Sequence, residues 1–494
     1  MNTAVKSNQP PTEGEVIIGL EIHVQLTNLK TKLFCGCSTD YRGMDPNLFL
    51  CPICLGLPGS LPVVNRRAIE FAIMVGLALN CEIPPVSLFH RKNYYYPDMP
   101  KNFQISQYNK AGGVPIGLGG QVPLEINGIK KEITLTRIQL EEDPGRLTYL
   151  GSILSSPYTL VDYNRAGITL VEIVTEPDLR SPKEARIFLQ KVRSIIEHLG
   201  VADCGLEGAM RCDANISLRG GNRVEIKNIN SFKAVQQALQ REIMRQRRMK
   251  QDGLEVILET RHWDENTGRT VALRKKEAEH DYRYFPEPDL VPIEISSDWI
   301  EELRSIMPEL PDQRRDRFVK DYDIPQYDAS VLTITKSLAD FFEACITLYS
   351  QTKNISNWIM SDLLRHLNDL NIEIDESTVS PEGFTTMLKR IDAGTISRRS
   401  AKKVLMDMMK EGKHPDEIIE EDGHHRIGDT EDLKKVANEI IQENQKATED
   451  AIQDDSAINY LVGQVMKKTR GTADPEITFQ IIEEIIITLR KKSN

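Results

Sequence analysis

The stretch Gly19-Leu20-Glu21-Ile22-His23-Val24-Gln25-Leu26 decides how the N-terminal half is read. Strict alternation is the mark of a strand, because successive side chains point to opposite faces. One face carries Leu20, Ile22, Val24 and Leu26, enough to seat the strand on a core. The other carries Glu21, His23 and Gln25. An ordinary half-buried strand turns Thr, Lys and Ser to water; a carboxylate, an imidazole and an amide in a row read as one wall of a site. Glu21 and His23 fall about 7 Å apart on that wall.

A second stretch, Leu140-Glu141-Glu142-Asp143-Pro144-Gly145, sets three carboxylates side by side before a Pro-Gly turn. Adjacent acids repel unless a cation or water relieves them, so the trio is either a solvated loop or a binding site for a hard metal ion. Glu172, inside the apolar run Thr169–Val174, is a lone acid that needs a cation, a hydrogen-bond partner or a solvated cleft. A structural salt bridge would satisfy it equally well. Taken together, these acids suggest metal-assisted chemistry on a phosphorylated or carboxylated substrate. Arg211-Cys212-Asp213-Ala214-Asn215 and Lys227-Asn228-Ile229-Asn230-Ser231 add polar groups near expected strand ends.

At 494 residues the chain exceeds one core, and two to four domains are expected. With 40% hydrophobic and 27% charged residues it reads as an ordinary globular protein. The first 15 residues, with Pro10-Pro11, read as a disordered tail without an apolar signal, and a cytoplasmic location is expected. The net charge of −11 argues against adhesion of the whole surface to nucleic acid. Local basic runs at Arg241–Lys250, Arg398–Lys403 and Lys467–Arg470 leave a phosphate-backbone surface open, although solvated helix faces explain such runs as well.

Strand signals at Val16–Leu26, Glu132–Leu140, Ile168–Val174, Asn215–Leu218 and Val224–Ile226 alternate irregularly with helices at Asn65–Leu79 and Pro182–Leu199. The second helix has Ser181 as N-cap, Pro182 at its first position, Glu184 three residues after the cap, and Gly200 after its end. This irregular order predicts an α+β fold. Beyond Pro286-Glu287-Pro288-Asp289 the texture becomes helical, with amphipathic segments at Asp340–Leu348, Thr385–Ile391, Arg399–Met409, Thr430–Asn444 and Ile477–Lys491. A further boundary is expected near Glu420–Arg426.

Cys35-Gly36-Cys37 and Cys51-Pro52-Ile53-Cys54 supply two thiolate pairs, the soft tetrahedral set that Zn²⁺ prefers. Disulfides are the alternative, disfavoured in a reducing compartment. Four thiolates leave no open position, so such an ion braces a loop and does not catalyse. Lys92 and Lys101 bracket Tyr94-Tyr95-Tyr96, where an aromatic beside a cation suits a nucleotide; a rigid surface turn fits as well. No GxxxxGK[ST] sequence occurs, so a nucleotide site here is not a P-loop.

In this order, GLEIHVQL (Gly19–Leu26), LPGSLPVVN (Leu57–Asn65), RKNYYYPDMPKNFQISQ (Arg91–Gln107), LEEDPG (Leu140–Gly145), VDYNRAGITLVEIV (Val161–Val174), EPDLRSPKEA (Glu176–Ala185), RCDANIS (Arg211–Ser217), DYRYFPEPDL (Asp281–Leu290) and YLVGQVMK (Tyr460–Lys467) closely resemble the B-subunit family of the bacterial and organellar aspartyl/glutamyl-tRNA amidotransferases. The resemblance runs from about Val16 to the end. It implies a catalytic cradle domain with a predominantly antiparallel sheet over 16–302, including the zinc loop. A helical domain over 303–425 and a helical tail domain over 426–494 follow, both contacting tRNA.

The implied activity is that of a glutamine-hydrolysing, ATP-dependent carbon–nitrogen ligase. The side-chain carboxylate of misacylated Glu-tRNA(Gln) or Asp-tRNA(Asn) is phosphorylated by ATP, and ammonia then displaces phosphate. Implied partners are the amidase-type glutaminase (the A component) and the small C component of a heterotrimer. By matching motif, Glu21, His23, Glu141, Glu142 and Glu172 become the catalytic candidates, with Glu21, His23, Glu141 and Glu172 as Mg²⁺ ligands. Lys92 and Tyr94 become contacts to ATP or the acyl phosphate. Some members lack the cysteines, so zinc at Cys35, Cys37, Cys51 and Cys54 would support the fold, not the chemistry. No segment between Asp281 and Tyr327 is long enough for the extra domain of the archaeal relative, which favours the bacterial type. The competing reading is a non-catalytic RNA-binding scaffold with a zinc knuckle, but a scaffold has no reason to bury the Glu21/His23 face and Glu172.

Overall fold

The computed structural model describes residues 14–109, 112–126, 128–150, 156–229, 231–265, 267–275, 279–421, 430–469, 473 and 475–493. All but two residues of the expected tail over 1–15, most of the Glu420–Arg426 boundary and Arg470 of the third basic run lie outside them. The chain divides into two compact units, Met1–Pro311 and Asp312–Asn494.

The first unit is organised by a twelve-stranded sheet. Ten strands form its continuous path: β1 (Val16–Gln25), β2 (His90–Asn93), β3 (Phe103–Ser106), β4 (Ile129–Glu142), β5 (Thr169–Thr175), β6 (Met210–Leu218), β7 (Val224–Ile229), β8 (Glu259–Asp264), β9 (Arg269–Lys275) and β10 (Phe285–Pro286). Their order across the sheet is β9-β8-β7-β6-β1-β5-β4-β3-β2-β10. Among these pairings only β7–β8 is parallel. The alternation that singles out β1 is realised: Ile18, Leu20, Ile22 and Val24 are buried, in one core with the inner faces of helices α1 (Arg66–Ala78), α2 (Pro182–His198) and α3 (Phe232–Gln251). With one face of the sheet so covered, the other is left to carry polar side chains.

Local signals place the helices. Asn65 caps α1 by accepting the N–H groups of Arg67 and Ala68. Ser181 Oγ accepts the Glu184 N–H at 3.2 Å, and Gly200 closes the other end of α2 at φ +68°. The Glu184 carboxylate reaches back one residue beyond the cap, to the Arg180 N–H at 3.0 Å. Helix α3 is not evident from sequence, where its second half registers only as a basic run. Ser231 caps it, and Ala234, Val235, Ala238, Leu239 and Ile243 bury its inner stripe. Two strands also outrun their expected lengths. β4 continues to Glu142 and β6 begins at Met210, so Glu141 and Glu142 close a strand and do not sit in a turn, while Arg211 and Asp213 lie near the start of one, as expected.

Helix α4 (Ser297–Ile306) still belongs to the first core through Leu303. The second unit is helical throughout its described residues, apart from connecting turns. It holds two separate apolar clusters, one from Phe318 to Ile419 and one from Leu433 to Ile486. Each helix expected from amphipathic spacing lies within an observed helix, apart from a residue at one end of the Thr430–Glu443 helix. No helix among the described residues is long and apolar enough to cross a membrane.

Candidate active site

Sheet register brings the polar residues of distant segments into one row. His23 on β1 stands directly opposite Glu172 on β5 and Arg211 on β6, and Glu172 in turn stands opposite Gln139 on β4. Arg211, His23, Glu172 and Gln139 thus line up across four strands. One donor atom each from His23, Glu141 and Glu172 lies within 4.8 Å of the others. Glu21, one row along, lies opposite Asp213 and accepts a hydrogen bond from Asn215 Nδ2 at 2.9 Å.

Hydrogen bonds fix this group. Gln139 Nε2 donates to Glu141 Oε1 at 2.7 Å and to Glu172 Oε2 at 2.5 Å, and Ser106 Oγ donates to Glu141 Oε1 at 2.7 Å. Gln104 Nε2 reaches Glu141 Oε2 at 3.1 Å. Burial works against ionisation of Glu141, but Lys92, His23 and the Ser106 hydroxyl prevail and bring its pKa down to about 2. Glu172 moves the other way. Burial, then the charges of Glu141 and Glu21, push it well above the usual carboxylate range, and Arg137 offsets this only in part. Two acids so close share one proton between them. Burial and the Arg211 charge lower the His23 pKa and favour neutral imidazole; among the described residues its buried Nδ1 has no hydrogen-bond partner.

Of these groups Glu21, Gln139, Glu141 and Glu172 line a cavity of about 590 Å³, whereas His23 and Arg211 are not among its lining residues. Lys92, Arg137 and Lys227 line it too, with Tyr108, Tyr282 and Tyr284 as aromatic wall. Tyr108 and Tyr284 stack with ring centroids 4.9 Å apart, and Lys92 Nζ lies 5.0 Å from the Tyr282 ring centre. Tyr94 belongs to an adjoining pocket of about 160 Å³, which shares Lys92, Lys227 and Tyr282 with the larger one.

The acidic trio does not act as one unit. Glu141 faces the cavity, whereas Glu142 forms an ion pair with Lys101 and accepts the Ile105 N–H at 3.1 Å, as strand alternation requires of its neighbour. Asp143, past the strand end, is buried between Gln25 Nε2 at 2.6 Å and Arg211 Nη1 at 3.0 Å. Arg211 stands in a polar run that the sequence already singles out, whereas sequence reasoning misses the site roles of Arg137, Gln139 and Ser106. For two of them the signal is present: Arg137, Gln139 and Glu141 alternate with Ile138 and Leu140 as Glu21, His23 and Gln25 do with their neighbours.

The four cysteines meet at a second point, one sulfur of each within 4.8 Å of the rest, and none is in a disulfide. The Cys51 N–H points at Cys54 Sγ at 3.1 Å. A hydrogen bond from Cys35 draws the Cys54 pKa down to about 5, while burial and a bond to Cys51 push Cys37 up to about 11.

Residues 16–301 match the family described as GatB/GatE catalytic domain, and residues 340–486 match the one described as GatB domain. The chain is similar along nearly its whole length to curated proteins named as the B subunit of aspartyl/glutamyl-tRNA(Asn/Gln) amidotransferase. One from Carboxydothermus hydrogenoformans is 48% identical over 485 residues, 97% of this chain and 100% of the relative. One from Sulfurisphaera tokodaii is 52% identical over 472 residues, 95% and 99% of the two chains. One from Saccharolobus solfataricus is 49% identical over 470 residues, again 95% and 99%.

Proposed function

This chain belongs to the B-subunit family of the aspartyl/glutamyl-tRNA(Asn/Gln) amidotransferases, and from that premise we propose that it is the synthetic subunit of such a ligase. In this reading it phosphorylates the side-chain carboxylate of misacylated Glu-tRNA(Gln) or Asp-tRNA(Asn) with ATP and lets ammonia displace the phosphate. The observation that carries it is the acid pair Glu141–Glu172 at the wall of a cavity that also presents lysine, arginine and tyrosine. A carboxylate is a poor electrophile until phosphorylated, and phosphoryl transfer needs positioning and cations more than covalent chemistry.

The residues fit a divalent ion. Two carboxylates share a proton where a dication would relieve both, and an unpartnered imidazole nitrogen lies beside them. Mg²⁺ would neutralise charge on the transferring phosphoryl group. Its preference for oxygen gives Glu141 and Glu172 the direct contacts, with His23 and Glu21 supporting. Gln139 and Ser106 hold the acids in place, Tyr282 and Tyr284 offer faces to a base, and Lys92 serves the phosphates. Tyr94, in the adjoining pocket, suits the amino-acid or acyl-phosphate side better than the nucleotide. Glu142, engaged by Lys101, supports the strand end.

The remaining assignments follow the family reading. Zn²⁺ at Cys35, Cys37, Cys51 and Cys54 ties the loop over 35–54 to one point. The amidase-type glutaminase, the A component, supplies ammonia, with the small C component completing the heterotrimer. The sequence boundary at 303 gives way to the one after Pro311, since Leu303 belongs to the first core, and the helical second unit, with its tail over 426–494, binds tRNA. Arg398, Arg399, Lys402 and Lys403 lie on one helix and suit phosphate contact. Glu141→Gln and His23→Ala in the assembled complex test the core of the proposal. Both should keep tRNA affinity and lose phosphorylation of the aminoacyl-tRNA by about a hundredfold or more, because the stabilised charge develops in the transition state. Near-normal phosphorylation in both would return the acids to a structural role.

A further inference from the structure

Arg137 makes an incomplete set of bonds for a cation so enclosed. Its side chain is 9% exposed and lines the cavity on β4, two residues before Gln139. Nε donates to Gln139 Oε1 at 2.8 Å, and the guanidinium carbon lies 5.0 Å from the Tyr108 ring centre, itself stacked on Tyr284. The nearest carboxylate is Glu172, whose Oε1 stands 4.0 Å from Nη2. A guanidinium kept in place to neutralise Glu172 would close a fork on it at about 2.7–2.9 Å. Here the fork stops short, and among the described residues neither terminal nitrogen has a hydrogen-bond acceptor.

The other cations lining the cavity are less suited to an incoming anion beside the acid pair. Lys227 Nζ is engaged by Asp213 at 3.4 Å and by Glu225 at 3.7 Å. Lys92 is a point charge over Tyr282, and Arg223, directly before β7, is exposed to water and so stands outside the enclosed part of the cavity. Among these four, Arg137 combines a planar donor pair, a ring that fixes its plane and a tie to the metal-ligand candidates. That tie is Gln139, whose carbonyl accepts from Arg137 while its amide group donates to both Glu141 and Glu172.

We propose that Arg137 is the side chain that grips the transferring γ-phosphoryl group, with Gln139 as the positioning residue that sets its fork relative to Glu141 and Glu172. The assignment rests on the reading of this cavity as the phosphoryl-transfer site. As the substrate carboxylate oxygen bonds to the γ-phosphorus, the bridging P–O bond breaks and its electron pair leaves with ADP. The equatorial oxygens then carry charge that two fixed N–H donors meet without reorganisation. ADP, lacking the γ-phosphate, gains nothing from these donors.

The test compares nucleotides on the assembled heterotrimer carrying Arg137→Met and, separately, Arg137→Lys. Binding of the non-hydrolysable analogue AMP-PNP, binding of ADP, and phosphorylation of Glu-tRNA in a single turnover are measured. Arg137→Met should weaken AMP-PNP by about tenfold, leave ADP and tRNA affinity within about twofold, and slow phosphorylation by about 10²–10³. Should Arg137→Met fail to assemble, Arg137→Lys, which keeps the charge but not the fork, must still lower the AMP-PNP to ADP affinity ratio and the rate. Equal weakening of both nucleotides, or no change in either, overturns the assignment while a wild-type complex that phosphorylates Glu-tRNA keeps the functional reading intact. A wild-type complex that makes no phosphorylated Glu-tRNA overturns both.

Discussion

The four-cysteine cluster and the His23–Glu141–Glu172 group each bring their donor atoms within 4.8 Å, yet they are assembled in opposite ways. The cysteines come from one local stretch, residues 35–54, where two short chelating pairs need only a turn between them to meet. The other group draws on three strands and on residues 23, 141 and 172, and exists only because the register of β1 on β5 and β5 on β4 is correct. A one-residue slip on any of these strands would turn its polar set into the apolar core. The local cluster can therefore vary with little consequence for the sheet, whereas the strand-built group is inseparable from it.

That contrast predicts a clean exchange of phenotypes. Glu172→Gln should cut phosphorylation of Glu-tRNA by about 10³ or more and leave bound zinc unchanged. Cys51→Ser with Cys54→Ser should abolish zinc binding, lower the melting temperature, and leave phosphorylation within about tenfold of wild type, because an ion held by four thiolates would close a loop and leave no position for substrate. Metal analysis and a single-turnover assay on both proteins read the outcome. Loss of zinc in Glu172→Gln, or loss of phosphorylation equal to that of Glu172→Gln in the cysteine variant, would merge the two regions into one site.

The two clusters are also unequally legible. Thiol pairs declare themselves by spacing, so the cysteine set can be read whole. Two of the three strand-built residues are equally plain: His23, with Glu21 beside it, breaks the expected pattern on β1, and Glu172 is a lone acid in an apolar run. The third, Glu141, is obscured by adjacency: Glu141-Glu142-Asp143 looks like one acidic turn, but a strand continuing to Glu142 sends neighbouring carboxylates to different partners. Cross-strand neighbours such as Gln139 and Arg211 follow from pairing, which no single segment encodes. Helix ends show the same limit in miniature. The helix expected at Asp340–Leu348 begins at Lys336, because Thr335 accepts the Leu338 N–H as N-cap before the apolar spacing becomes clear. The Tyr94 segment draws the eye with its three rings, yet the aromatic side of the larger cavity comes from Tyr108 and, far along the chain, Tyr282 and Tyr284.

Acidity sharpens the comparison further. At neutral pH Cys35 and Cys37 hold their protons, the first through its bond to Cys54 and burial, the second through burial, while Cys54 is ionised. Zinc uptake must therefore expel at least two protons, and apparent affinity should rise by at least about a hundredfold per pH unit between the Cys54 and Cys37 pKa values, about 5 and about 11. At the acid pair Glu141 is already ionised and only the raised Glu172 holds a proton. Mg²⁺ or Mn²⁺ affinity should rise by about tenfold per unit while pH stays below the Glu172 pKa, then level off. Calorimetry in buffers of different ionisation enthalpy counts the protons released. A release of two or more at the acid pair would mean that Glu141 is not held ionised by Lys92, His23 and Ser106.

The smallest effect concerns Ser106, which supports the site by donating one hydrogen bond to Glu141 Oε1 at 2.7 Å. Ser106 is fully buried and pairs with Glu141 across β3 and β4, so Ser106→Ala removes a donor without opening the sheet. Gln139 and Gln104 continue to donate to the same carboxylate, so its orientation survives. What changes is the charge balance: the hydroxyl favours the ionised acid, and its loss should raise the Glu141 pKa and weaken divalent-ion binding by about tenfold, the scale of an outer partner to a metal ligand. Zinc content and the melting temperature should stay close to wild type, since the proposed zinc site is built from the four cysteine thiols and not from this hydroxyl. Manganese titration followed by electron paramagnetic resonance reads the affinity directly. Unchanged manganese affinity in Ser106→Ala would show that Glu141 is not a ligand of the ion, and would leave Glu172 and His23 to carry the strand-built site alone.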